Sequence, residues 1–206
     1  MSAPTTPGRP PIPAGRAFAL LLTLTGLLGL IASAVLTLDK LRLLKDPSYI
    51  PSCNINPIVS CGSVMRSEQA EAFGFPNSLL GLAGFAALLT IGIALLAGAA
   101  FHRWFWLGLQ LGALLGLAMV HWLITAALYD IGALCPYCMV VWAATFALFW
   151  YTTLHNLRGG VIPVPRPLRP VVRETARYHW AVPALWYAVI ALLVLNRFWY
   201  YWRTLI

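Results

Sequence analysis

Acidic residues and cysteines are scarce in this chain. Of 206 residues, 6 are Asp or Glu and 4 are Cys, whereas 60% are hydrophobic and only 10% are charged. A soluble domain of this length is rarely so apolar, so a lipid bilayer is the expected solvent. The sequence also lacks a glycine-rich phosphate-binding loop, so no nucleotide chemistry is expected.

The positive net charge of +8 raises the question of a nucleic-acid partner. The arginines are concentrated beside apolar segments, where lipid phosphates and membrane orientation account for them. We therefore expect membrane lipids, and no nucleic acid, to be partners of the chain.

Five apolar segments predict an all-α integral membrane protein. Four of them are long enough to cross about 30 Å of hydrocarbon as helices. The fifth, residues 181–196, is marginal in length, but the aromatic residues 198–202 that follow it are typical of an interfacial belt. The four longer segments are residues 17–38, a run that ends at residue 101, residues 104–129 and residues 131–154.

The arginines also predict how the chain is oriented in a cell membrane that it crosses several times. Residues 157–180 carry many arginines against a single glutamate, which is typical of a cytoplasmic loop. The cysteines are then extracytoplasmic and the N-terminus is cytoplasmic. The predicted parts are a disordered cytoplasmic tail (residues 1–16), a four-helix membrane domain (17–156) with an outer loop at about 39–76, the basic cytoplasmic loop (157–180), and the fifth transmembrane helix with the C-terminal end (181–206).

All four cysteines fall on the predicted outer side, where thiols form disulfides. Structural staples and a redox relay both fit this placement. A metal site fits less well, because the C-x7-C spacing of Cys53 and Cys61 is wider than a zinc knuckle, and no metal is expected.

The position of the second pair favours redox chemistry. Pro136 suits the first turn of a helix, so Cys135 is predicted to be its N-cap, facing water and the positive end of the helix dipole. Such a setting lowers a thiol pKa and favours exchange. Cys138 is predicted to lie about 4.5 Å deeper, facing the bundle interior. The loop pair can then meet a soluble protein and pass electrons inward by thiol–disulfide exchange.

The order of these motifs resembles the bacterial form of the vitamin K epoxide reductase family. It consists of C-x7-C, SCGSVMRS with a short helix expected from Ser63 to about Ala72, FGFPNSLLG opening a helix, and C-x-x-C opening a later one. The resemblance implies a four-helix bundle around a quinone pocket, to which this chain adds its fifth helix. It also implies an oxidase of thioredoxin-like proteins that introduce disulfides into secreted proteins. Because no thioredoxin-like domain follows the fifth helix, the expected partner is a separate extracytoplasmic thioredoxin-like (DsbA-type) protein.

The same resemblance assigns roles to individual residues. Cys53 would meet the partner, and Cys61 would attack the inner pair. Cys135 would be the sulfur attacked, and Cys138 would reduce the quinone, for which menaquinone or another naphthoquinone is expected. Three residues match quinone-site positions: Asn77, which can instead cap its helix, Ser67, which can instead lie on a surface helix, and Trp142, which stands where animal members have a tyrosine.

Three other functions remain open at this stage. The chain can be a scaffold whose cysteines only staple loops, a thiol reductase that runs electrons outward, or a transporter. The other quinone-linked disulfide oxidase family has its C-x-x-C in the first outer loop, the reverse of the order here. His121, inside the third apolar segment, is either a proton relay or the partner in one interhelical hydrogen bond.

Overall fold

The computed structural model of the chain describes residues 11–204. Within them the regular elements are helical, which confirms the predicted all-α class. The α-helices are α1 (Arg16–Lys45), α2 (Cys61–Met65), α3 (Asn77–Leu96), α4 (Arg103–Thr125), α5 (Pro136–Arg158), α6 (Arg169–Arg177), α7 (Ala181–Arg197) and α8 (Trp199–Trp202).

Four helices, α1, α3, α4 and α5, are long and apolar enough to cross a membrane, with α4 continuing through the π-helical turn Ala126–Ile131. A fifth span is counted only when α6 and α7, which meet at a bend of 68°, are taken together. The four long helices alternate in direction. We call the end of the bundle that holds the cysteines the cysteine end, and the end where α5 finishes at Arg158 the arginine end.

Small residues allow α1 and α3 to lie against each other along most of their length. A Cβ atom added at Gly26 would be 2.7 Å from the backbone nitrogen of Leu89, and one at Gly92 would be 2.6 Å from that of Thr23. Backbones this close leave no room for a side chain. Close packing of this kind is the usual source of helix association in lipid, where the hydrophobic effect supplies little.

Helix α1 continues two turns beyond the apolar run of residues 17–38 and ends at Lys45. Of the charged residues that follow the run within α1, Asp39, Lys40 and Arg42 find partners in the chain, whereas Lys45 is exposed. Asp39 is 4% exposed, and its Oδ1 accepts a hydrogen bond of 2.9 Å from the Tyr49 hydroxyl. Arg42 reaches the same carboxylate at 3.4 Å. A buried charge is tolerated when it is paired in this way.

The expected disordered tail falls mostly outside the described residues, since residues 1–10 are not described. Its remaining part lies against the bundle at the arginine end. The backbone N–H of Ile12 donates to the carbonyl of Phe101 at 2.8 Å, and the Ile12 side chain packs on the core around Trp106.

Helix α7 runs antiparallel to α5 and reaches the cysteine end. The Tyr187 hydroxyl donates to the carbonyl of Ala143, and Nε of Arg197 donates to the carbonyl of Leu128 at 2.7 Å. Phe198, which follows α7, is fully buried against Ile58 and other apolar residues. The prediction of an interfacial belt is therefore wrong for Phe198, because the outer loop covers its ring.

Candidate active site

The loop cysteines are joined by a disulfide at the cysteine end. Cys53 and Cys61 are bonded with their Cα atoms 5.7 Å apart. Cys61 opens α2, whose N-cap Ser60 accepts a hydrogen bond from the backbone N–H of Ser63. Asn54, next to Cys53, ties the two halves of the disulfide together, since its side-chain oxygen accepts a hydrogen bond of 2.9 Å from the backbone N–H of Gly62. The expected helix from Ser63 to about Ala72 is shorter in the structure, where α2 ends at Met65 and only a 3-10 turn, Glu68–Glu71, follows.

Two backbone hydrogen bonds join this loop to the segment that precedes α5. The N–H of Ser60 donates to the carbonyl of Leu134 at 2.9 Å, and the N–H of Leu134 donates to the carbonyl of Ile58 at 2.7 Å. Ser60 directly precedes Cys61, and Leu134 directly precedes Cys135. These two backbone hydrogen bonds therefore set Cys61 and Cys135 side by side, and both cysteines belong to one buried cluster.

Cys135 is the N-cap of α5 and Pro136 is its first residue, as the sequence predicts. The prediction that Cys135 faces water is wrong. Cys135 is only 1% exposed, because the loop that carries the Cys53–Cys61 disulfide covers it. A hydrogen bond from the Cys138 thiol holds the pKa of Cys135 below its ordinary value, while burial and the charge of Asp39 act in the opposite direction.

A cavity of about 110 Å³ lies beside Cys138, enclosed mainly by α1, α3 and α5. Its walls are largely apolar, which suits a quinone ring, and the polar groups among them are a thiol, an ammonium, an amide and two hydroxyls. The volume is below the roughly 150 Å³ that holds one benzene ring in a protein core, so a ring enters only if the walls move apart. The polar members are Ser33, Lys40, Asn77, Ser78 and Cys138.

The three expected quinone-site residues are placed differently from one another. Trp142 and Asn77 line the cavity. The Asn77 amide is already engaged, since Nδ2 donates to the carbonyl of Gln69 at 2.6 Å and Oδ1 accepts from the N–H of Ala72 at 3.2 Å. Asn77 does not cap α3, whose N-cap is Pro76. Ser67 is not brought to the cavity: its hydroxyl donates to the carbonyl of Val64 at 2.7 Å.

Sequence reasoning did not identify Lys40 as a residue of the site. Its side chain is 12% exposed and lines the cavity, with Nζ 2.8 Å from the Glu71 carboxylate and 2.7 Å from the carbonyl of Met65. The signal that could have found it is its place in the chain. A lysine two residues beyond the apolar run of a membrane helix is energetically costly unless its ammonium has a partner.

His121 forms an interhelical hydrogen bond. Its Nε2 accepts from the Trp186 indole N–H at 3.0 Å, so Nδ1 carries the proton and donates to the carbonyl of Leu117 at 2.9 Å. Both ring nitrogens are engaged, and the ring ties α4 to α7.

A helical bundle that holds two cysteine pairs side by side at one end has the arrangement that a membrane thiol oxidoreductase needs. The chain belongs to the vitamin K epoxide reductase family, whose model matches residues 20–153. The resemblance read from the sequence is thereby confirmed. Proteins of this family are oxidoreductases that use quinone-type substrates and work with thioredoxin-like partners. A comparison with curated protein sequences finds no match.

Proposed function

We propose that the chain passes two electrons from a reduced extracytoplasmic thioredoxin-like protein, through its two cysteine pairs, to a membrane quinone. The net result is one disulfide in the partner, which then introduces disulfides into secreted proteins. The proposed acceptor is a naphthoquinone such as menaquinone. The proposed orientation puts the cysteine end outside and the N-terminus in the cytoplasm, since the arginines of residues 157–180 favour a cytoplasmic loop.

The observation that carries this proposal is the pair of backbone hydrogen bonds between Leu134 and the loop. They hold Cys61 beside Cys135, which is the contact that transfer from the loop pair to the inner pair requires. Two disulfides that only stabilise the fold would not need to lie side by side.

The exchange steps balance without any metal or nucleotide. The partner's dithiol first reduces the Cys53–Cys61 disulfide. The Cys61 thiolate then attacks Sγ of Cys135 in the inner disulfide, and Cys138 leaves as a thiolate. Cys53 next attacks Cys61, which restores the loop disulfide and releases Cys135. A transfer in this direction would leave the loop pair bonded and Cys135 and Cys138 reduced.

The inner pair gives up the electrons at the cavity. A quinone, when bound, accepts two electrons and two protons. That Cys138 lines the cavity supports its proposed role as the thiol that delivers them, and the Cys135–Cys138 disulfide would re-form as both thiols lose their protons. Trp142 and Lys40 line the cavity, so Trp142 would pack against the ring and the Lys40 ammonium would donate a hydrogen bond to one of its carbonyl groups.

The direct test is quinone reduction by purified protein that is offered a reduced thioredoxin-like protein. We expect turnover with the wild-type chain and none with Cys138→Ser. In Cys138→Ser the thiolate of Cys135 can attack Cys61 and only Cys53 can reverse this step, so the two bridges should exchange: a fraction of the protein should hold a Cys61–Cys135 bridge, with Cys53 free for alkylation.

Peptide mapping distinguishes this proposal from the scaffold alternative. The matched control is Cys135→Ser, which cannot form the bridge and should keep Cys53–Cys61. A Cys138→Ser protein that folds but contains only Cys53–Cys61 would favour structural staples.

A further inference from the structure

A second cavity lies far from the cysteines. A groove of about 700 Å³ lies at the arginine end, between the last turn of α5, the loop after it and α6. Its floor is apolar, with Leu157, Ile162 and Val172 among its lining residues. Four arginines also line it: Arg158, Arg169, Arg173 and Arg177.

These arginines come together because of the helix period. Arg169, Arg173 and Arg177 are four residues apart along α6, so they form one stripe. Arg158, the last residue of α5, faces them across the groove. Since α6 packs on α5, the stripe and the fourth cation line the same space.

The charges of the groove are almost uncompensated. Arg158, Arg169 and Arg173 make no hydrogen bond or ion pair with any residue between 11 and 204, and Arg177 only approaches the exposed Glu174 at 4.0 Å. Converging like charges repel one another, and a bound anion relieves that repulsion. Guanidinium groups bind phosphate in particular, through paired N–H donors.

The walls of the groove are held in place by the rest of the fold. Val161 is fully buried, and its carbonyl accepts a hydrogen bond of 2.8 Å from Nε of Arg103. The N–H of Ile162 donates to the carbonyl of Asn156 at 3.1 Å. A site that is already shaped loses less entropy when a ligand binds.

We propose that this groove binds the phosphate headgroup of an anionic phospholipid. The groove lies where the membrane helices end, and its neighbours Val171, Tyr178 and Trp180 are more than half exposed, as in helices that lie in the membrane interface. An apolar floor below a cationic rim matches the upper acyl chain and the phosphate of such a lipid, whereas a free phosphate ester uses only the rim. The site lies outside the part of the chain that the family model matches, and it does not depend on the proposed electron route.

The test uses full-length protein in detergent after lipid removal. Phosphatidylglycerol, phosphatidylcholine and inorganic phosphate are added separately, and binding is followed by native mass spectrometry and by the shift in Tm. We expect phosphatidylglycerol alone to bind and to raise Tm. In a double variant, Arg169→Gln with Arg173→Gln, its affinity should fall roughly tenfold or more, which corresponds to about 1.4 kcal/mol.

The matched control is Arg166→Gln. Arg166 is exposed on the same segment but does not line the groove, so this variant should bind like the wild type. The proposal is overturned if the double variant binds phosphatidylglycerol unchanged, if Arg166→Gln weakens binding equally, or if inorganic phosphate gives the same shift. Helical content and gel filtration show whether the double variant is folded. If it is not, Arg169→Lys with Arg173→Lys replaces it, since this pair keeps the charge, loses the paired donors and should still weaken binding.

Discussion

The two ends of the bundle use their cations differently. At the cysteine end Lys40, Arg42 and Arg66 each form hydrogen bonds within the chain. At the arginine end Arg103 also donates to a backbone carbonyl, but Arg158 and Arg169, which line the groove, make no hydrogen bond with the described residues. The first group holds the outer loop in place, and Lys40 among them also lines the cavity beside Cys138. The second group is left for a counter-ion from outside the chain.

The aromatic residues differ between the ends as well. At the arginine end Trp106 is fully buried among helices, against Phe18 and His155. At the cysteine end Phe198 is fully buried against the loop, with Ile58 and Leu134 in its cluster. Both rings stabilise the fold. Only Phe198 lies beneath the backbone hydrogen bonds between Leu134 and the loop, which set Cys61 beside Cys135.

The largest effect is expected from removing these two rings. Phe198→Ala and Trp106→Ala should each cost about 3–5 kcal/mol of stability. Only Phe198→Ala should also loosen the loop, so that Cys135, now 1% exposed, is alkylated faster in reduced protein. Alkylation followed by peptide mapping measures this. If alkylation of Cys135 is accelerated equally in both variants, the packing at the two ends of the bundle is not independent.

Much of this architecture could be predicted from the sequence, because its signals are local. Apolar runs found the four long helices, and Pro136 found the N-cap at Cys135. The features that were missed depend on contacts between distant residues. The sequence around Ser60 does not indicate its hydrogen bond to Leu134. The sequence around Asp39 does not indicate that a hydrogen bond from Tyr49 allows α1 to continue. Phe198 was taken for a belt residue because its covering loop is far away in the chain.

A smaller effect is expected from Lys40, and it rests on the proposed function. Lys40→Met keeps the length of the side chain but removes the ammonium that lines the cavity and pairs with Glu71. A hydrogen bond from a charged donor contributes about 1.5–3 kcal/mol, so quinone KM should rise roughly tenfold. Steady-state quinone reduction measures this.

The control for Lys40 is Lys45→Met, on the same helix. Lys45 is exposed and makes no hydrogen bond or ion pair within the described part of the chain. Its replacement should leave quinone KM unchanged. A rise in KM that is the same for both variants would mean that general charge near the cysteine end matters, rather than the ammonium in the cavity.

The smallest effect concerns the proton on Cys135. Since a hydrogen bond from Cys138 is the main cause of its lowered pKa, losing the donor should raise that pKa. In a chain with Cys53 and Cys61 replaced by serine, Cys138→Ser keeps a hydroxyl donor and Cys138→Ala does not. Ultraviolet titration of the thiolate should therefore give a lower Cys135 pKa in the Ser variant than in the Ala variant.

The sign of the stability effect follows from the same shift. A group whose pKa is lower in the folded state stabilises the fold above its unfolded pKa, and that stabilisation is lost as pH falls through the folded pKa. The Ser variant should therefore gain more stability than the Ala variant as pH rises through the ordinary thiol range, where chemical denaturation can measure it. If the two variants titrate alike, the N-terminus of α5, rather than the thiol of Cys138, stabilises the Cys135 anion. Exchange at the cysteine end would then depend on the helix alone, and Cys138 would contribute only as the sulfur that faces the cavity.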